Sequence, residues 1–253
     1  MPRASIYLQE GHTYHLTHRC HNRDHHLRFA RDRDAYRKWL REGVKRHRVP
    51  VYAYCVTSNH VHIVAHADSA ESVSMLMHLT AGATGKQYNL RKCHEASVWE
   101  HPFQCTAIED GRHLFNCLAY VDLNMVRAGV VKHPRDWPWC GYDELSGTRL
   151  RYRVLAQDRL LESLGLDNLA QFREQYIEAI ERRVATGQLA REAHWSESLA
   201  VGSQDFVSRA QSRYANRMTF NISQVPGGPA AGTWTIREAV SSYKPISPGE
   251  NSR

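Results

Sequence analysis

Polar and apolar residues alternate from Tyr14 to Cys20 (YHLTHRC), a segment rich in β-formers, and the pattern predicts a strand. From Asp32 to Val49 the period changes. Tyr36, Trp39, Leu40 and Val44 recur at helical spacing among charged residues, and Pro50 stops the helix. Val51 to Thr57 (VYAYCVT) reads as a second strand and His60 to Ala67 (HVHIVAHA) as a third. Ser58-Asn59 is a turn signal between them, so the two form a hairpin. Glu71 to Leu90 predicts a helix with Val73, Leu76, Met77, Leu79 and Thr80 inward, which Gly82 and Gly85 weaken without ending. Phe103 to Glu109 is a fourth short strand. Asp110 to Val131 is a further helix, with Gly129 near its end and Pro134 just beyond. The first six elements run β-α-β-β-α-β. This is the ferredoxin-like order of an α+β fold, a mostly antiparallel sheet with helices on one face.

Beyond Tyr142 the pattern turns helical over Leu155–Leu164, Asn168–Ala185, Gln188–Leu199 and Gln204–Arg213, with no chemical constellation. From Val225 the chain becomes loop-like (VPGGPAAG), and Ser241 to Arg253 reads as a polar, mobile tail. The expected division is a domain over 1–145, a helical C-terminal extension over 146–224 and a flexible tail over 225–253.

Charge adds a partner class to this picture. The 253 residues hold 33 Lys+Arg against 26 Asp+Glu, a net +7. The whole excess falls within residues 12–48, with eleven Lys/Arg and four Asp/Glu; elsewhere the signs balance at 22 each. A local basic excess points to a polyanion. Phe29, Tyr36 and Trp39 are interleaved with it, which suits a phosphate backbone and unstacked bases. The competing reading is a solvated helix face, partly neutralised by Asp32, Asp34 and Glu42. No run of 18 apolar residues exists, so no membrane span is expected. Met1 to Glu10 has no apolar signal region, and the six cysteines form no C-x-x-C pair, so reduced thiols and a cytoplasmic location are expected. Cys93, His94, His101 and Cys105 fit no usual zinc spacing.

Two constellations could carry chemistry. In His60-Val61-His62, strand alternation puts both imidazoles on one face, about 7 Å apart at their Cα atoms, close enough to converge on one metal ion. They could equally be two solvent-facing histidines. On the helix after the fourth strand, Leu114, Leu118, Val121, Met125 and Ala128 form a core stripe. Beside it run His113, Asn116, Tyr120, Asn124 and Arg127. Tyr120 and Asn124 are one turn apart, which could pair a nucleophile with a metal ligand. By itself Tyr120 could also be a core-edge aromatic.

Taken together these segments resemble a known family. His60-Val61-His62 after Ser58-Asn59 resembles the HUH motif of histidine, hydrophobic residue, histidine. Tyr120 to Pro134 (YVDLNMVRAGVVKHP) is similar to the tyrosine-helix signature of IS200-like (Y1) transposases, and most of all to their REP-associated tyrosine transposase branch. Tyr14-His15-Leu16-Thr17 with Arg19, Trp99-Glu100, and Trp137-Pro138-Trp139 with Tyr142 also match, and His194 to Val207 (HWSESLAVGSQDFV) resembles the relatives' C-terminal extension. The resemblance spans about residues 10–145.

It implies a ferredoxin-like HUH nuclease domain that cuts and rejoins single-stranded DNA at hairpins through a 5′-phosphotyrosine. His60, His62 and Asn124 become metal ligands for Mg²⁺ or Mn²⁺, and Tyr120 the nucleophile. The expected DNA contacts are Arg19, Arg31, Arg33, Arg37, Lys38 and Arg127, in a monomer or homodimer. Met125 stands where many relatives have proline, which should leave the helix straighter. His101-Pro102-Phe103 replaces a more usual Arg-Phe, and Trp139-Cys140-Gly141-Tyr142 replaces a Ser-Ser pair. Two other functions compete: a domesticated protein that holds hairpin DNA or RNA without cutting, and a rolling-circle replication initiator or relaxase. The intact histidine–tyrosine–asparagine set argues against the first. The lack of a helicase P-loop and the HUH-before-tyrosine order argue against the second.

Overall fold

The computed structural model describes residues 8–93, 95–100, 102–214, 220–226 and 232–238. Strands β1 (His12–Arg19), β2 (Val51–Val56), β3 (His60–Ala67) and β4 (Gln104–Ile108) make one side of the sheet, with β2 at its edge. Helices α1 (Ala30–His47) and α2 (Ala70–Lys92) connect them. The strand order there is β2-β3-β1-β4, and each pairing is antiparallel, which is the expected ferredoxin-like arrangement. Gly43 lets α1 and α2 approach closely, since a Cβ there would lie 2.6 Å from Leu76.

Alternation divides β1 and β3 between two faces. His15 and His62 meet the ring of Tyr120, on helix α3 (Arg112–Asp122). Their neighbours Tyr14, Leu16, Val61 and Ile63 point the other way and are buried under α1 and α2 with Tyr36, Leu40 and Leu76. The helix expected over Asp110–Val131 is interrupted. At Leu123 (φ −76°, ψ 1°) the backbone tightens, and its N–H reaches both Ala119 and Val121 carbonyls. One further turn, α4 (Asn124–Arg127), follows. Met125 does not keep the helix continuous. The side-chain period is the same on both sides of this break, so the pattern alone could not reveal it. Gly129 (φ 69°) then ends the turn, donating to the Val126 carbonyl at 2.9 Å.

The rest of the chain packs onto this core. After α5 (Tyr142–Leu145) and α6 (Gln157–Leu164), helix α7 (Leu169–Ala185) lies against α3. Tyr176 donates to Asp122 at 2.7 Å and Arg183 to Asn116 at 2.7 Å, while Phe172 and Ile180 are fully buried. The helix expected over Gln188–Leu199 is reduced to α8 (His194–Glu197). The chain then becomes β5 (Ala200–Gly202), parallel to β4. Helix α9 (Gln204–Tyr214) and strands β6 (Phe220–Gln224) and β7 (Trp234–Glu238) complete a seven-stranded sheet, β2-β3-β1-β4-β5-β7-β6. A strand therefore replaces loop within the stretch after Val225. β5 takes the open edge of β4, where the Ala107 N–H donates to the Leu199 carbonyl at 2.8 Å, and β7 in turn takes the edge of β5, so ladder partners override the local pattern. Ser241–Arg253, His94 and His101 lie outside the described residues. Among the described residues no helix is long and apolar enough to cross a membrane.

Candidate active site

The hairpin between β2 and β3 sets His60. Thr57 Oγ1 accepts from the His60 N–H at 3.1 Å and donates to its carbonyl at 2.7 Å. His60 Nδ1 lies 2.8 Å from Asn59 Oδ1, which can only accept, so that nitrogen carries the hydrogen. The Nε2 of His60 is left with no partner among the described residues. The expected turn at Ser58-Asn59 thus also orients the first histidine.

His62 is buried at the middle of the sheet. Its ring is 4.8 Å from that of His60 and stacks on His15 at 4.9 Å. His62 Nδ1 is 2.8 Å from His15 Nε2, and Asn124 Nδ2 is 3.0 Å from His62 Nε2. Burial, with Arg19 and Arg127 nearby, lowers His60 to about 4, and holds His62 well below its ordinary value together with the neighbouring histidines. Both are therefore neutral at pH 7, the form that binds a metal.

Tyr120 comes from the last turn of α3 and faces the His15/His62 pair edge-on, 6.1 Å from each ring centroid. Burial raises the phenol above its usual value; Arg127 and a hydrogen bond from Ser196 act against that rise. The Arg127 guanidinium lies 4.1 Å from the Tyr120 ring centroid and donates to the Tyr120 carbonyl at 3.3 Å. The rest of the polar stripe is used elsewhere: His113 pairs with Glu109 at 3.0 Å, and Asn116 holds Arg183.

His60, His62, Tyr120 and Asn124 all line one open cavity of about 480 Å³. Arg19, Arg23, Arg127 and Arg191 line it too, and among the described residues no carboxylate does. Such a cavity suits phosphate. Of the six basic residues expected to touch DNA, Arg19 and Arg127 are there. Arg31 and Lys38 are exposed on α1, away from the cavity lining, and Arg31 lies beside Phe29 at 5.5 Å. Arg37 is half-buried and donates to the Pro138 carbonyl at 2.8 Å. Arg33 requires a correction. It is buried, donates to the Leu27 and Arg28 carbonyls at 2.9 and 2.7 Å, and sits 4.0 Å over Trp139, so its charge is spent inside the protein.

Sequence reasoning named His15 only as part of a matching motif, and gave no role to Arg23, Arg191 or Ser196. Arg23 had a signal in the basic stretch. Arg191 comes from a loop more than sixty residues downstream of Tyr120 and has no local signature, while Ser196 lies on a short helix within the His194–Val207 stretch that matched as a segment but suggested no role.

A ferredoxin-like sheet with a paired-histidine strand facing a tyrosine helix defines an HUH-type domain. Residues 9–124 match the family model described as "Transposase IS200 like". Among solved structures, the chain is similar to a REP-associated tyrosine transposase bound to a REP hairpin. The identity is 19% and the TM-score 0.47, over 61% of this chain and 90% of that one. No curated protein matches at a significant level.

Proposed function

We propose that the protein is a tyrosine transposase of the REP-associated kind, which cuts and rejoins single-stranded DNA at hairpin sites. The observation that carries the reading is the placement of Tyr120 against His62 and Asn124 in a cavity lined by four arginines and, among the described residues, no carboxylate. In this reading the arginines hold the DNA phosphates. The Tyr120 Oη attacks phosphorus as it gives up its proton, the bond to the 3′-oxygen breaks, and that oxygen takes a proton. The products are a 5′-phosphotyrosine and a free 3′-OH. Reversal by a 3′-OH rejoins the strand without ATP, because one phosphodiester replaces another.

The residues present fit a divalent ion. His60 Nδ1 is engaged by Asn59 and His62 Nδ1 by His15, which leaves the Nε2 of each ring as the nitrogen available to a metal. Turning the Asn124 carboxamide about would present Oδ1 beside them. Among the described residues no group of three His, Cys, Asp or Glu is arranged to hold a metal ion, so an amide oxygen is the natural third donor. Bound there, Mg²⁺ or Mn²⁺ would polarise the phosphate and stabilise charge on the leaving oxygen. This supplies what Tyr120 lacks, since burial has moved its hydroxyl away from ionisation.

The test is incubation with hairpin-bearing single-stranded oligonucleotides and Mn²⁺ or Mg²⁺. A covalent adduct should appear on a denaturing gel and disappear in Tyr120→Phe. Hairpin binding without any adduct, unchanged in Tyr120→Phe, would instead favour a binding protein that does not cut.

A further inference from the structure

The IS200-like match ends at Asn124, yet the segment around α8 reaches beneath the histidine pair. His15 is fully buried, and its Nδ1 lies 2.7 Å from the backbone carbonyl of Trp195. A carbonyl only accepts, so His15 Nδ1 carries a hydrogen. Asn124 Nδ2 can only donate, and it lies 3.0 Å from His62 Nε2, so that Nε2 holds a lone pair. The 2.8 Å contact to His62 Nδ1 then requires the hydrogen to sit on His62 Nδ1. The lone pair of His62 is left on Nε2, on the side of Asn124. Thr17 Oγ1, at 3.4 Å from the same Nδ1, is too distant to reverse this.

We propose that His15 is a positioning residue that, anchored by the Trp195 carbonyl of the C-terminal extension, fixes the tautomer and ring plane of His62 so that Nε2 is presented to a divalent cation. The proposal rests on the metal-dependent reading above. It gives the extension a task in the site: it orients a ligand of the domain to which it is appended. Ser196, the next residue after Trp195, lines the cavity with Tyr120, and the Trp195 ring lies 6.3 Å from that of Tyr120, so one short segment reaches both halves of the site. A buried partner that orients a metal-bound imidazole is worth roughly 10- to 100-fold in metal affinity or activity.

The first measurement is the ¹⁵N spectrum of the histidine side chains in the metal-free, full-length protein at pH 7.5, with His62 assigned by its absence in His62→Gln. A protonated Nδ1 and an unprotonated Nε2 are expected. A hydrogen on Nε2 overturns the proposal, whether or not the protein cuts DNA. The second is Mn²⁺ affinity by calorimetry in His15→Phe, which keeps a stacking ring and removes both hydrogen bonds, and in His15→Gln, whose amide oxygen can still accept from His62. Phe should weaken Mn²⁺ binding by about 10- to 100-fold. Gln should recover a substantial part of the loss, and metal-free hairpin binding should stay within about twofold of wild type in both. Unchanged Mn²⁺ affinity in a folded His15→Phe overturns the proposal. If His15→Phe does not fold, the wild-type spectrum and His15→Gln decide. Wild-type protein that binds no Mn²⁺ and forms no adduct defeats the metal-dependent reading, while the spectrum still reports on the relay.

Discussion

Between the sheet and the α1/α2 pair lie Tyr14, Leu16, Val61 and Ile63, all sealed from water. One residue along on each strand, between the sheet and α3, lie His15, Thr17, His60 and His62, of which all but His60 are equally sealed. The first set gains stability from burial in the ordinary way. The second is polar, and burying it is tolerable only because its members hydrogen-bond in series from the Trp195 carbonyl to Asn124. The same two strands thus hold the fold on one face and the chemistry on the other, and substitutions should separate the two roles.

The largest effect is expected on the chemical face. Tyr120→Phe should abolish the covalent adduct altogether, while the ring contacts to His15, His62 and Trp195 keep the thermal melt near that of wild type. A residual adduct would move the nucleophile elsewhere. The opposite face should behave in reverse. Leu16→Ala should cost about 2–5 kcal/mol in urea unfolding, yet leave adduct formation by the folded protein intact. Loss of adduct without loss of stability would mean that the faces are not separable.

Acid should weaken the chemical face selectively. His15, His60 and, in the adjoining α8, His194 are lowered to about 4, and His62 is held well below its ordinary value. The unfolded chain takes up protons near pH 6.5 that the folded chain refuses, so stability present above pH 6.5 is lost progressively as pH falls toward 4. Asp122, buried against Tyr176 and raised to about 8, and Asp110, raised by its burial, pull the other way, but His113 and His133 are lowered too and the histidines outnumber them. Urea midpoints at pH 7.5, 5.5 and 4.5 should therefore decline, and a flat profile would show that these histidines are not buried as described.

The smallest effects concern charge. Arg19→Gln and Arg23→Gln should each weaken hairpin binding and lower the salt slope by about 1. Arg31→Gln and Lys38→Gln should do less, and Arg33→Gln should destabilise the protein without changing that slope. Equal slopes across the set would restore the α1 face as the DNA surface.

Much of this could be read along the chain. Alternation marked β1 and β3, and placed His60 and His62 on one face. Helical spacing put Tyr120 one turn from Asn124, and the turn at Ser58-Asn59 was visible as such. Less legible were features made by contacts between distant segments. The basic count in residues 12–48 could not tell Arg19 and Arg23, which reach the cavity, from Arg33, which is consumed by internal carbonyls and two tryptophans. The pattern over 188–199 is helical by composition, and it yields to a strand partner offered by β4.

Local periodicity, a near-neighbour property, was therefore enough for most of the element order and the inward faces, while the choice of the two histidines, the tyrosine and the asparagine came from the resemblance of whole motifs to a family. Which nitrogen of His62 is left available depends on a carbonyl 180 residues away from His15. Which arginines surround the cavity depends on how β1, α4 and the α8 segment meet. Those relations come from the closing of the chain on itself, through directional hydrogen bonds and burial that no local pattern records.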